Sequence, residues 1–258
     1  MEPTEFGLAR RIGSLYRSSR LCLVKPARHR EVNFEAFDAS TISNYEAKFK
    51  AAERVAALAE SGQVIGAGSG STAFLAVRAI AARVRRGELA DLRLVPTSIE
   101  SGLTIGGLGL RQADLAEVAP DWLFDGADEV DPEGNLIKGR GGALFREKLL
   151  FAACPLRRVL IDGSKRVAHL GSGFPVPVEV VPGAAAVAVA GLRELGATES
   201  VIRKGTGKDG PVLTEQGNLL LDCHFTEIGE NLEAEIKGLT GVLDSGLFQG
   251  YDPEIIEA

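Results

Sequence analysis

The stretch QVIGAGSGSTAFLAVRAIAARV, residues 63–84, joins a short apolar run to a glycine-rich turn and then to a helical pattern. The run QVIGA predicts a buried strand, and the segment after the glycines has the length and periodicity of a helix. Glycine lets the backbone approach a ligand closely, and the free N–H groups at the start of a helix attract anions. This order of strand, glycine turn and helix therefore predicts an α/β fold with an anion-binding loop.

Similar units flank this stretch on both sides. A helical pattern precedes it at residues 44–60, and strand patterns follow at residues 92–98, 121–131 and 157–165, with a helical pattern at 141–153 between the last two. Strands that alternate with helices are typical of a mostly parallel, doubly wound sheet. The predicted fold class is therefore α/β, with such a sheet in the main domain.

The pattern changes after Gly173. Strands and helices then follow in the order β-α-β-β-α-β, with the two central strands placed around a turn within residues 211–225. This order predicts a second, smaller ferredoxin-like α+β domain. The predicted divisions are an N-terminal extension at residues 1–43, a catalytic α/β domain at 44–173, the small α+β domain at 174–243 and a return to the α/β domain at 244–258.

The N-terminal extension differs from the rest of the chain in charge. Between Phe6 and Arg30 it holds seven Lys or Arg residues and no acidic residue, whereas the whole chain has a net charge of −6. Arg-rich, Ser-containing, acid-poor segments resemble organelle transit peptides. A disordered tail and a misassigned start codon are the alternatives, since Met1 is the only methionine. Residues 1–43 are therefore predicted to lie outside the fold.

The composition argues against several classes of protein. A net charge of −6 disfavours general nucleic-acid binding, and no apolar run approaches the roughly 20 residues that span a bilayer. The three cysteines include no CxxC pair, which favours a reducing compartment over a disulfide framework. The three histidines are widely separated in the sequence. We therefore predict no metal site, no membrane span and no nucleic-acid partner.

The turn GAGSGST, residues 66–72, is the first candidate site. Ser69, Ser71 and Thr72 add hydroxyl groups to the glycine backbone. No lysine directly follows the last glycine, so the turn is not a Walker loop. The next strand ends in VPTS, without the acidic residue that would hold the ribose of a nicotinamide cofactor. A tight turn without a ligand is the alternative interpretation.

Charged side chains follow the ends of other predicted strands. Asp125 ends one strand and Asp128 follows it, while Lys138 enters the glycine-rich turn KGRGGALFREK, which places Glu147 on a helix. Lys165 follows the end of a further strand. Helix capping, turn formation or a solvated helix surface would explain each carboxylate alone. Because ligands of open α/β sheets bind at the carboxyl ends of strands, the set as a whole indicates a phosphosugar-type ligand and proton transfer by a carboxylate.

The motifs GSGST, PTS, DGADEVD, KGRGGALFREK, DGSK, PVEVVP and GNLLLD resemble, in this order, those of the type A ribose-5-phosphate isomerase family, over about residues 48–248. The resemblance implies interconversion of ribose 5-phosphate and ribulose 5-phosphate through an enediol, without a metal or an organic cofactor. It implies that Glu147 is the general base and that Asp125, Asp128 and Lys138 handle ring opening and the oxygens on C1 and C2. The implied substrate-binding residues are Lys48, Ser69, Gly70, Ser71, Thr72, Gly126, Ala127, Gly139, Arg140, Gly141 and Lys165.

Within this set, the resemblance implies that Ser71, Thr72, Lys165 and Lys48 hold the phosphate group, with Ser69 facing the sugar. Arg140 stands where the family commonly has glycine. A non-glycine residue there predicts a backbone position that does not require a positive φ.

Two other functions stay open at this stage. One is an isomerase of a different phosphosugar, and the other is a non-catalytic sugar-phosphate sensor domain, although residues 1–43 are too irregular for the helix-turn-helix that usually accompanies such sensors. The family resemblance also implies a homodimer or homotetramer. The expected location is the cytoplasm, or an organelle if residues 1–43 are a transit peptide.

Overall fold

The computed structural model describes residues 39–207 and 209–257. The prediction of a disordered or targeting extension rests mainly on residues 1–38, which lie outside this part of the chain. Ile42 is buried in the main hydrophobic core, so the folded part begins before the predicted boundary at residue 44. Ile42 shares this core with Ala51, Ala52 and Val55 of the helix that follows it in the chain.

The central sheet is formed by β1 (Val64–Ala67), β2 (Arg93–Pro96), β3 (Arg111–Gln112), β4 (Trp122–Gly126), β7 (Arg157–Ile161) and β13 (Glu254–Glu257). All pairings are parallel, and the order across the sheet is β13-β7-β4-β1-β2-β3. The chain winds outward from β1 to one edge and then from β4 to the other. The predicted mostly parallel, doubly wound sheet is therefore confirmed, and its winding direction reverses between β1 and β4.

Helices cover both faces of this sheet. They are α1 (Tyr45–Ala57), α2 (Gly70–Arg85), α3 (Ile99–Gly107) and α4 (Leu144–Ala153). Helices α1 and α2 share one core with residues of β1, β2 and β4, whereas α4 contributes Leu150 and Phe151 to a separate core on the other face. Burial on both faces explains why the central strands read as continuous apolar runs. The sequence interpretation did not predict α3, whose nine residues include three glycines.

The small domain contains β8 (Val176–Val180), α5 (Ala185–Glu194), β9 (Ala197–Ile202), β10 (Leu219–Phe225), α6 (Leu232–Lys237) and β11 (Val242–Ser245). Its antiparallel sheet has the order β11-β8-β10-β9, and the two helices pack apolar residues against it. This is the predicted ferredoxin-like arrangement. The predicted boundary at residue 243 falls inside β11, because that strand continues to Ser245.

One predicted strand of the small domain is wrong in position. The partner of β10 is β9, and residues 211–215 form only isolated bridges from Lys204 to Pro211 and from Leu213 to Leu219. Five of the six residues of β9 are exposed or half-exposed, and all five are polar or β-branched, so β9 lacks the apolar alternation that marks a strand in sequence.

Three short strands connect the two domains. They are β5 (Glu129–Val130), β6 (Leu136–Ile137) and β12 (Leu247–Phe248), which pair antiparallel in the order β12-β6-β5. The chain thus leaves the small domain through β12, pairs beside β6 and ends in β13 of the central sheet. This path fixes the position of the loop that follows β6.

Gly66 in β1 tests how closely α4 packs on the sheet. A Cβ atom at this position would lie 2.7 Å from Leu123 Cβ and 2.7 Å from Leu150 Cδ2, so Gly66→Ala must displace α4. We expect the free energy of unfolding to fall by about 1–3 kcal/mol, as for other overpacked cores. Thermal unfolding measures this. The control is Gly107→Ala, where a Cβ atom meets nothing within 4 Å. Equal melting temperatures for the two variants would contradict the close packing.

Candidate active site

A cavity of about 470 Å³ opens at the carboxyl ends of β1 and β4, where the winding of the sheet reverses. Open α/β sheets bind their ligands at such a switch point. Every residue of the predicted site lines this cavity: Lys48, Ser69, Gly70, Ser71, Thr72, Asp125, Gly126, Ala127, Asp128, Lys138, Gly139, Arg140, Gly141, Glu147 and Lys165. The structure therefore brings together predicted site residues that lie up to 117 positions apart in the chain, from Lys48 to Lys165.

The turn after β1 packs directly against Asp125. A Cβ atom at Gly68 would lie 2.1 Å from Asp125 Oδ1, so only glycine fits there. The backbone N–H of Ser69 and that of Gly126 both donate to Asp125 Oδ1, at 3.2 and 2.7 Å. These contacts turn the carboxylate so that its second oxygen, Oδ2, faces Lys138.

Lys138 places its ammonium group between two buried carboxylates. Its Nζ lies 2.9 Å from Asp125 Oδ2 and 3.4 Å from Glu147 Oε2, and it also donates to the carbonyl oxygen of Gly126. Exposure is 1% for Asp125, 2% for Lys138 and 4% for Glu147. Two carboxyl groups and one ammonium group thus form a cluster that is screened from bulk water.

Burial and the attraction between opposite charges shift the pKa values of this cluster in opposite directions. Burial raises the pKa of Asp125 to about 7, with the positive charge of Lys138 opposing this and the negative charge of Glu147 adding to it. Burial alone would lower the pKa of Lys138, but the carboxylates of Asp125 and Glu147 outweigh it and raise that pKa. Lys138 is therefore a charged ammonium at neutral pH, whereas Asp125 titrates there.

Glu147 lies in the first turn of α4 and points into the cavity. Its Oε1 accepts a hydrogen bond of 2.7 Å from the hydroxyl group of Ser69, and its Oε2 faces Lys138. Ser69 occupies the N-cap position of α2, but its side chain makes no capping hydrogen bond. The Ser69 hydroxyl thus orients the Glu147 carboxylate instead of capping a helix.

The glycine-rich turn after β6 lets Lys138 and Glu147 reach the same space. Gly139 has a φ of +93°, and a Cβ atom there would lie 2.6 Å from Leu144 Cβ. Arg140 is not among the described residues with a positive φ, which confirms the expectation for this position. Its backbone N–H donates to Asp128 Oδ2 at 3.3 Å. Burial raises the pKa of Asp128, against the opposing charge of Lys138.

Cationic side chains gather at the other end of the cavity. Lys48 of α1 donates to the hydroxyl groups of Ser43 and Ser71, at 3.1 and 3.3 Å. Burial lowers the pKa of Lys48, Asp162 opposes this, and the nearby charges of Lys165 and Arg140 add to it. Three cations from α1, the loop after β6 and the loop after β7 therefore line the cavity together with the start of α2, and a helix N-terminus also attracts anions.

Five further lining residues were not predicted: Ser43, Ser98, Glu100, Ala143 and Glu215. Ser98 ends the segment PTS after β2, so the strand-end rule that identified Asp125 also applies to it. Its side chain caps α3 by accepting from the Ser101 N–H at 3.0 Å. Glu215 reaches the cavity from the small domain, and its Oε2 accepts from the Ile99 N–H at 3.0 Å. No local sequence pattern marks such a contact between domains.

Two classes of feature are absent from residues 39–207 and 209–257. No helix in this part of the chain is long and apolar enough to cross a membrane. No group of three or more His, Cys, Asp and Glu side chains there is arranged to hold a metal ion.

The fold and the cavity define the class of protein as an α/β enzyme for a small phosphorylated ligand, with an anion-binding end and a carboxylate-lined end. Residues 93–258 match the family model of ribose 5-phosphate isomerase A, also called phosphoriboisomerase A. The chain is 44% identical to ribose-5-phosphate isomerase A of Thermosynechococcus vestitus, over 77% of this chain and 83% of that protein. This chain therefore belongs to the ribose 5-phosphate isomerase A family and is an enzyme of that family.

Solved structures show the same relationship. The ribose 5-phosphate isomerase A of Methanocaldococcus jannaschii matches with a TM-score of 0.77 and 40% identity, over 80% of this chain and 92% of that one. A D-ribose-5-phosphate isomerase in complex with phospho-erythronic acid matches with a TM-score of 0.79 and 37% identity, over 81% of this chain and 93% of that one.

The coupled carboxylates predict a pH dependence of the reaction. Asp125, whose pKa is raised to about 7, is charged above that pH and neutral below it, so its ion pair with Lys138 is lost as the pH falls. We expect kcat/KM to decrease as the pH falls through about 7. A pH profile of Asp125→Asn should lack this inflection and be lower throughout. An unchanged inflection in Asp125→Asn would show that another group controls it.

Proposed function

We propose that this enzyme interconverts D-ribose 5-phosphate and D-ribulose 5-phosphate by carrying one proton between C2 and C1 through an enediol(ate). The observation that carries this proposal is the Glu147 carboxylate, which is buried, held by Ser69 and aimed into the cavity whose other end is cationic. A cavity with these two ends suits a short sugar with a phosphate on one terminus and an acidic C–H near the other.

In this proposal Glu147 is the general base. With the sugar in its open-chain aldehyde form, the Glu147 carboxylate removes the proton from C2, the electrons of the C–H bond form the C1=C2 double bond, and those of the C1 carbonyl move to its oxygen to give the enediolate. A proton passes from the hydroxyl group on C2 to the oxygen on C1, and Glu147 returns its proton to C1, which leaves a carbonyl group at C2 and a hydroxyl group at C1. Lys138, an ammonium group 3.4 Å from Glu147 Oε2, stabilises the negative charge that develops on the sugar oxygens.

Asp125 and Asp128 take part in the steps that precede and accompany the proton transfer between C2 and C1. Both carboxyl groups line the cavity, and burial raises the pKa of each above that of an exposed aspartate, to about 7 for Asp125. We assign them to ring opening and to proton movements between the oxygens on C1 and C2. The carboxylate-lined end of the cavity is completed by the backbone of Gly126, Ala127, Gly139 and Gly141.

The phosphate group binds at the cationic end. Lys48, Lys165 and Arg140 supply positive charge, and Ser71 and Thr72 supply hydroxyl donors at the start of α2, where the backbone of Gly70 hydrogen-bonds to the Glu100 carboxylate. Hydrogen bonds to charged groups are each worth about 1.5–3 kcal/mol, so this end accounts for much of the affinity. The related isomerase solved in complex with phospho-erythronic acid, a phosphorylated sugar acid, supports a phosphorylated sugar as the ligand.

The alternatives differ in what they require of the cavity. A sensor domain needs the cationic end but not a buried base, so the placement of Glu147 disfavours it. An isomerase of another phosphosugar would use the same groups and differ in the residues that face the sugar carbons. Family membership favours ribose 5-phosphate as the substrate. A homodimer or homotetramer that works in the cytoplasm is part of the same proposal, supported by the family alone.

Glu147→Gln tests the base directly. An amide cannot accept the C2 proton, so kcat should fall by about 10²- to 10⁴-fold, the usual contribution of general-base catalysis, while KM changes little. Initial rates of ribulose 5-phosphate formation measure this. Glu117→Gln, an exposed position on the same domain, is the control. A kcat near that of the parent enzyme would overturn the assignment of Glu147.

The enediol route predicts an isotope pattern and indifference to chelators. In D₂O that contains EDTA, turnover should continue and deuterium should appear at C1 of ribulose 5-phosphate, because the Glu147 proton exchanges with solvent during some turnovers. Proton NMR of the product measures the label. Activity that disappears with EDTA and returns with a divalent cation would contradict this route.

A further inference from the structure

Glu129 is a buried carboxylate that the proposed reaction does not use. It follows Asp128 in the chain but points away from the cavity, and it is 1% exposed. Its Oε2 accepts from the Gly171 N–H at 2.6 Å, and its Oε1 accepts from the N–H groups of Gly173 and Phe174, at 2.5 and 2.8 Å. Because a buried carboxylate needs such partners, these hydrogen bonds fix the segment 171–174 that leads into the small domain.

The ring of Phe174 contacts two of the cavity's cations. Lys165 Nζ lies 5.0 Å from the ring centroid and Arg140 Cζ lies 5.3 Å from it. Both distances are within the range of a cation–π attraction. The two cations come from different loops, one after β6 and one after β7. Phe174 is not among the described residues that line the cavity, so it supports these side chains without contacting a bound sugar.

When no anion is bound, electrostatic repulsion favours a larger separation between these cations. Lys165 and Arg140 line the same end of the cavity as Lys48, and like charges at short range repel one another. Lysine and arginine also have long side chains with many rotamers, and ordering them on binding costs affinity. A negatively polarised aromatic face that attracts both groups would keep them in place before the ligand arrives.

We propose that Phe174, held by Glu129, is a positioning residue that orders Lys165 and Arg140 to receive the phosphate group of the substrate. This inference rests on the proposed function, because it requires a phosphate at the cationic end. It assigns a function to the last acidic residue of the DGADE motif: Asp125 and Asp128 face the chemistry, and Glu129 organises the phosphate end through the backbone of another segment.

Phe174→Leu removes the π face but keeps an apolar side chain. We expect KM for ribose 5-phosphate to rise about 5- to 20-fold, corresponding to the loss of two cation–π contacts, with kcat within about twofold of the parent enzyme. The inhibition constant of phospho-erythronic acid should rise by the same factor, while that of erythronic acid, which lacks the phosphate, should not change. Phe174→Tyr keeps the ring and should behave like the parent enzyme. Phe225→Leu makes the same change at a half-buried site of the small domain and is the control.

A purely structural role gives a different result. Phe174→Leu and Phe174→Tyr would then lower the melting temperature without a selective effect on the phosphorylated inhibitor, and equal changes for both acids would overturn the proposal. If Phe174→Leu does not fold, Glu129→Gln provides the second test, because it keeps the ring but weakens its anchor. It should raise KM in the same phosphate-selective way, and an unchanged KM would overturn the role of Glu129. Failure of the proposed function itself is separate, since the parent enzyme would then not convert ribose 5-phosphate at all.

Discussion

The ammonium group of Lys138, held between the carboxylates of Asp125 and Glu147, is the interaction on which the rest of the site depends. Each of its three members comes from a different element: the end of β4, the loop after β6 and the first turn of α4. A buried charge that loses its partner costs several kcal/mol, so sheet, loop and helix must all be in place for the cluster to form. The same charges that constrain the fold supply the base and the electrostatic stabilisation of the proposed reaction.

Two consecutive residues of helix α4 make contacts in opposite directions. Glu147 points into the cavity, whereas Lys148 places its Nζ 2.6 Å from Glu233 Oε1 and 2.9 Å from Asp244 Oδ1, both in the small domain. The small domain therefore anchors the helix that carries Glu147. Asp128 and Glu129 also point in different directions. Asp128 lines the cavity, whereas Glu129 accepts hydrogen bonds from the segment that enters the small domain. The small domain thus holds elements of the α/β domain that line the cavity in position.

Much of the fold and of the site was predictable from the sequence for identifiable reasons. The apolar runs before GAGSGST and DGADEVD mark buried parallel strands, and the strand-end rule places their loops at one edge. The strand β9 and the helix α3 were missed, because β9 exposes polar side chains and α3 is rich in glycine, so neither has a clear periodicity. The contribution of Glu215 was missed because it depends on how the small domain sits against the cavity.

Periodicity and glycine spacing are local properties of the chain, so the class of fold, the charged residues and their location on strand-end loops follow from the order of residues alone. Which of these groups share a hydrogen bond or an ion pair depends on the tertiary structure. The pKa of Asp125, raised to about 7, depends on burial and on the distances to Lys138 and Glu147. The positions of Lys165 and Arg140 depend likewise on the ring of Phe174, which comes from another segment. Electrostatic effects act through space and vary with distance and solvent exposure, so they follow from the packing of distant segments and not from their order in the chain.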